Sequence, residues 1–206
     1  MRSLFWGICC FFHLSDLAAA LPFLEAIALY PQLSRFKSLL QSSPDLAPIL
    51  TVSNSSASER ITVLVPNNSA FNTYRASHGS DISQLPKSDL KAVIKYHILV
   101  EDLPSARILA AELPQLVIPT QLTDERYNNR SAGAELKSAS QTGDKSDGQV
   151  VILQTRMQAD TKPLLVKCGL GELVNLTILD GQWDGGIFHM VDRWEISEAF
   201  RNSSAC

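Results

Sequence analysis

Thr62-Val-Leu-Val-Pro-Asn-Asn-Ser-Ala-Phe71 is the stretch that decides the fold. Ile61 to Val65 is apolar but for Thr62, which predicts a strand covered on both faces. Pro66 stops that strand. Asn67, Asn68 and Ser69 then turn the chain into a short helix over residues 69–74, with Asn67 at the N-cap. Two further segments follow in order. Tyr96-His97 ends an amphipathic stretch, and Gly186-Ile-Phe-His-Met-Val-Asp192 is a strand apolar on both faces, interrupted by one histidine and closed by an acid.

Outward from these, the pattern predicts helices first and strands later. Pro22 to Tyr30 opens with Pro in a first-turn position. Residues 32–40 carry a helical stripe of Leu33, Phe36, Leu39 and Leu40. Ser43-Pro44-Asp45 reads as a helix start, with Leu46, Ile49 and Leu50 on the apolar side. Residues 53–60 read as a polar loop. In residues 88–97, Leu90, Val93, Ile94 and His97 share one helical face. Strands are expected at 116–119, 150–155, 163–167, 173–179 and 186–194. Residues 123–148 are too poor in apolar groups to pack alone and read as a long polar loop. The order predicts an α+β domain with an antiparallel β core.

Composition bounds the function. A chain of 206 residues with 45% hydrophobic content supports one domain with a sizeable core. A net charge of -3 without a basic run argues against nucleic acid. Residues 1–20 read as a cleaved secretory signal: Arg2, an apolar run from Leu4 to Leu14, then Ala18-Ala19-Ala20. Ser15 and Asp16 break the run too early for a membrane span, so the mature chain is expected to begin at Leu21 without one. The domain is then 21–198 and the tail 199–206. A glycolipid anchor is not expected, because that tail is not hydrophobic.

Asn54, Asn67, Asn129, Asn175 and Asn202 all fit the glycosylation sequon; only Asn68, Asn72 and Asn128 do not. Alternation puts Asn175 and Thr177 on the more exposed face of their strand, opposite Val174, Leu176 and Ile178. Cys168 and Cys206 are the cysteines left after signal removal. In an oxidising compartment they are candidates for one disulfide, which would contribute about 3–4 kcal/mol if unstrained. Two free thiols, or Cys206 bonded to another chain, are the alternatives.

Taken together, the three opening segments resemble the two boxes and central Tyr-His pair of the fasciclin (FAS1) domain. The resemblance rests on Thr62, Pro66, Asn68, Phe71, Tyr96, His97, Gly186, His189 and Asp192, with Leu103-Pro-Ser-Ala adding to it. It spans roughly residues 24–196. It implies a seven-stranded antiparallel β-sandwich or wedge with flanking N-terminal and central helices. The opening Ile27 to Ser34 resembles filamentous-fungal single-domain members. The family's usual Asn-Gly-Ala strand is replaced here by Lys167-Cys-Gly-Leu-Gly.

His97 and His189 allow two readings: a metal or catalytic pair, or core histidines whose ring nitrogens satisfy buried backbone groups. Their apolar settings, and the lack of a third ligand at zinc spacing, favour the second. Asp192 reads as a turn cap or a partner of Arg193 or a backbone amide. Asp180 and Asp184, beside Gly181 and Gly185-Gly186, do not match an EF-hand and read as turns. Trp183 is either a ligand contact or a packed edge residue. No hydrolase elbow, zinc helix or phosphate loop is present. No metal or cofactor is expected, and the chain is not expected to be catalytic alone. The resemblance implies a secreted, extracellular or wall-associated binding glycoprotein. Two roles compete: accessory partner of a laccase-type oxidase that couples phenolic polyketides into dimeric pigments in secondary metabolism is the first choice, and cell-surface or cell-wall adhesion is the alternative. A hydrolase using His189 and Asp192 ranks last.

Overall fold

Ile61–Pro66 forms strand β1, and all its residues are buried because it lies between two other strands rather than at an edge. A computed structural model describes residues 21–50, 60–110, 115–124, 150–155, 164–168 and 173–194. The remaining strands are β2 (Ile98–Leu99), β3 (Gln115–Pro119), β4 (Val150–Thr155), β5 (Leu164–Cys168), β6 (Leu173–Trp183) and β7 (Gly186–Val191). They make a seven-stranded sheet in the order β2-β1-β7-β6-β5-β4-β3.

The sheet is mixed where a wholly antiparallel one was expected. β1 runs parallel to β7, from Ile61↔Gly186 to Pro66↔Val191. Both strands are apolar on both faces, which suits a parallel pair buried at the centre of a fold. The other pairings are antiparallel. The two ends of the sheet also meet. Leu99 bridges Thr120, the Val100 N–H donates to the Pro119 carbonyl at 3.1 Å, and the Gln121 N–H donates to the Ile98 carbonyl at 2.9 Å. The sheet therefore folds over into a closed wedge.

Helices α1 (Phe23–Ala28), α2 (Ser34–Ser42), α3 (Ala47–Leu50), α4 (Asn68–His78), α5 (Lys87–Tyr96) and α6 (Ser105–Ala110) pack around it. The Asn67 side chain accepts from the Ala70 N–H, the expected N-cap. α4 runs beyond Tyr74 because Gly79, at φ 71°, is where the chain takes the left-handed turn that ends a helix. α3 starts later than expected. The Leu46 N–H donates to the Ser43 carbonyl, so Ser43 opens a turn rather than capping the helix. α6 begins within the Leu103-Pro-Ser-Ala segment and had no periodic signal.

β6 continues past Leu179 to Trp183 through register shifts, with Asp180 at φ 59°. The Asp180-Gly181 turn expected from sequence is thus an irregularity inside a strand, and the reversal falls at Asp184 and Gly185. Phe23 makes edge-to-face contacts with Trp183 and Phe188 in the core. Trp194 collects Phe36, Phe71 and His97 in a second group of rings. Among the described residues, no helix is long and apolar enough to cross a membrane. Residues 1–20, Asn54, Asn129, Asn202, Cys206 and most of the polar loop lie outside the described residues.

Candidate functional site

Two motif residues, Thr62 and His189, meet on the segment that joins β2 to α6. Thr62 on β1 is fully buried. Its hydroxyl donates to the Glu101 carbonyl at 2.7 Å and accepts from the Leu103 N–H at 2.9 Å. His189 sits beside β1 in the sheet, paired with Leu64. Its Nε2 meets the Leu103 carbonyl at 2.8 Å, and its Nδ1 accepts from the Asp180 N–H at 3.2 Å. This pair of partners fixes the neutral ring with its proton on Nε2. Burial pushes the imidazole pKa down, outweighing the Leu103 hydrogen bond and the charges of Asp180 and Asp102.

The same segment is held from outside. Asp180 accepts from the Ser105 N–H at 2.7 Å and from the Ser105 hydroxyl. Arg60 pairs with Asp102 at 3.0 Å and Arg107 with Glu101 at 2.9 Å. Asp180 is therefore an anchor for the start of α6. Local sequence could not show this, because its partner lies far along the chain.

His97 is also spent on backbone. Its Nδ1 lies 2.8 Å from the Leu64 carbonyl, and the Leu64 N–H donates to the His97 carbonyl at the same distance. Tyr96 beside it is buried. Gly186, at φ 151°, pairs with Ile61; a Cβ there would lie 2.0 Å from the Ile61 carbonyl oxygen. Pro66 closes β1 opposite Val191. Asp192 is half-buried, and its Oδ1 has no hydrogen-bond partner. Trp183 packs in the core, its indole N–H on the Ile187 carbonyl. Among the described residues, no group of three His, Cys, Asp or Glu side chains could hold a metal. Cys168 lies on β5 and Cys206 outside the described residues. Asn175 is exposed.

Asn68 serves α2 instead. It donates to the Pro31 carbonyl and Ser34 hydroxyl and accepts from the Arg35 N–H at 3.0 Å. Arg35 reaches Asn72 at 2.8 Å and Asp81 at 2.6 Å, with its guanidinium carbon 4.6 Å from the centre of the Phe71 ring. Around them lies an open groove of 350 Å³ lined by Ser34, Arg35, Ser38, Leu39, Ser42, Phe71, Asp81 and Ser83. Burial would raise the Asp81 pKa, but hydrogen bonds from Ser83 and the charges of Arg35 and Arg75 outweigh it and hold the carboxyl low. Sequence reasoning missed this groove. The available signal was Ser34, Ser38 and Ser42 at i, i+4 and i+8, a hydroxyl stripe beside the apolar stripe of α2.

The geometry agrees with comparisons to known proteins. The profile of the Fasciclin domain matches residues 31–194. The chain is 26% identical over 166 residues to the fasciclin-like arabinogalactan protein elcF of Phaeosphaeria nodorum, across 81% of this chain and 44% of that one. It therefore spans less than half the length of this curated relative. In structure it resembles a FAS1 domain pair from the insect cell adhesion molecule Fasciclin I, with a TM-score of 0.53 and 16% identity over 79% of this chain and 44% of that chain. The match over residues 31–194, most of the chain, makes this protein a member of the fasciclin domain family.

Proposed function

We propose that this chain is an extracellular or wall-associated binding module with no redox centre of its own. One observation carries the reading: His97 and His189 spend ring nitrogens on backbone groups of the core. The family motifs thus build a scaffold, and recognition is left to the surface. The primary role is attachment at the cell surface or wall. Two of the proteins it resembles, a fasciclin-like arabinogalactan protein and a cell adhesion molecule, support it. Retention of the full chain on washed cell walls is the test. Recovery of all the protein in the wash overturns attachment.

A second role has its own observation. The Arg35 groove, at 350 Å³, falls in the size range of small-molecule sites and combines an aromatic ring with polar groups. That supports an accessory of a laccase-type oxidase, holding phenolic polyketide radicals while they couple; orientation alone controls which bond forms. Mass spectrometry of culture extracts from a strain lacking the gene tests it. Accumulated monomers with dimers missing or miscoupled support the role, and an unchanged profile removes it.

A further inference from the structure

The inner face of β6 is apolar and covered, whereas its outer face sets two exposed leucines beside Asn175 and Thr177. Val174 is buried and Leu176 and Ile178 are half-buried, whereas Leu173 is 36% and Leu179 38% exposed on the other face. An antiparallel sheet commonly leaves one face to solvent with polar residues along it, and the two leucines depart from that pattern. β6 lies between β5, which it pairs through Leu173, Val174 and Asn175, and β7, which it pairs from Leu176 to Trp183. Asn175 and Thr177 lie exposed between the two leucines. At 3.4 Å rise per residue, Leu173 stands roughly 7 Å from Asn175 and Leu179 roughly 14 Å away.

We infer that Asn175 carries an N-linked oligosaccharide, and that this glycan is the cover of the outer face of β6. The inference rests on the extracellular reading proposed above. In the transfer, the Asn175 side-chain nitrogen loses a proton and bonds to the anomeric carbon of a lipid-diphosphate-linked oligosaccharide. The bond from that carbon to the diphosphate oxygen breaks, and the lipid diphosphate leaves; nothing is oxidised or reduced. In the folded chain the Thr177 hydroxyl donates to the Met190 carbonyl at 3.3 Å. Transfer therefore belongs to the extended chain, before β6 pairs with β7. Once the strand folds, Asn175 points the sugar away from the core, and the C–H faces of its first residues lie along the leucines.

The test uses the full chain secreted from a eukaryotic host. Site-resolved peptide mass spectrometry reads occupancy at each sequon. Enzymatic glycan removal from the folded protein is followed by hydrophobic-dye fluorescence and light scattering. The expected result is occupancy at Asn175, retained in Thr177→Ser and lost in Thr177→Val. Removal should raise dye fluorescence and shift monomer toward aggregate, and Leu173→Ser with Leu179→Ser should cancel that rise. Asn175 bare while another sequon is occupied overturns this inference alone. No sequon occupied overturns the extracellular reading with it. An occupied Asn175 whose glycan is removed without change in dye binding overturns the covering role.

Discussion

At the scale of single residues, the motif side chains act as ties between distant backbone groups. His189 holds the Asp180 amide and the Leu103 carbonyl at once. Replacing it with alanine leaves both unsatisfied and opens a cavity. The expected loss is about 3 kcal/mol, read as a lower midpoint in chemical denaturation. A stable His189→Ala protein would contradict this account. The same residue sets a pH dependence. A proton on Nδ1 would face the Asp180 N–H, and burial already lowers the folded pKa. The unfolded chain, with an ordinary imidazole near 6.5, therefore binds the proton first. The contribution of His189 is fully present above that value. It is lost as pH falls from about 6.5 toward the lowered folded pKa. Denaturation midpoints measured across that window should slope upward with pH, and less steeply in His189→Ala. Thr62→Val removes the acceptor for the Leu103 N–H and should cost about 1–3 kcal/mol, whereas Thr62→Ser keeps the hydroxyl and should cost less.

At the scale of elements, boundaries follow from caps and from the tightness of strand packing. Asn67 closes the start of α4 through the Ala70 N–H. Asn67→Ala should cost about 1 kcal/mol, visible as a lower melting temperature, while Asn67→Asp should hold. Gly186 is required by two constraints that coincide: a positive φ, and the Ile61 carbonyl where a Cβ would stand. Gly186→Ala cannot relieve that clash by moving a side chain, because the obstacle is backbone of the parallel partner strand. It should abolish secretion of folded protein, measured as the yield of protease-resistant monomer. Asn68 makes α4 and α2 one unit through Pro31, Ser34 and Arg35. This explains a polar residue at a motif position.

At the scale of the whole molecule, the sheet closes on itself. The Val100 and Gln121 amides donate across the seam between β2 and the end of β3. Hydrogen exchange should find both protected nearly as well as the amides of β1; rapid exchange there would mean an open edge. The sequence by itself determined the apolar strands β1 and β7, the helix that Asn67 caps though not its run to Gly79, the amphipathic α5, and the α+β order. It did so because each rests on periodicity or on a cap within a few residues. It also settled that His97 and His189 lie on apolar faces. It did not contain the parallel pairing of β1 with β7, the continuation of β6 through Asp180, or the groove around Arg35. Those depend on groups tens of residues apart, such as Ser105 with Asp180 or Arg35 with Asp81. Only the tertiary structure decided which backbone atoms face the two imidazoles. A hydrophobic pattern fixes which side of an element is buried, not what it is buried against.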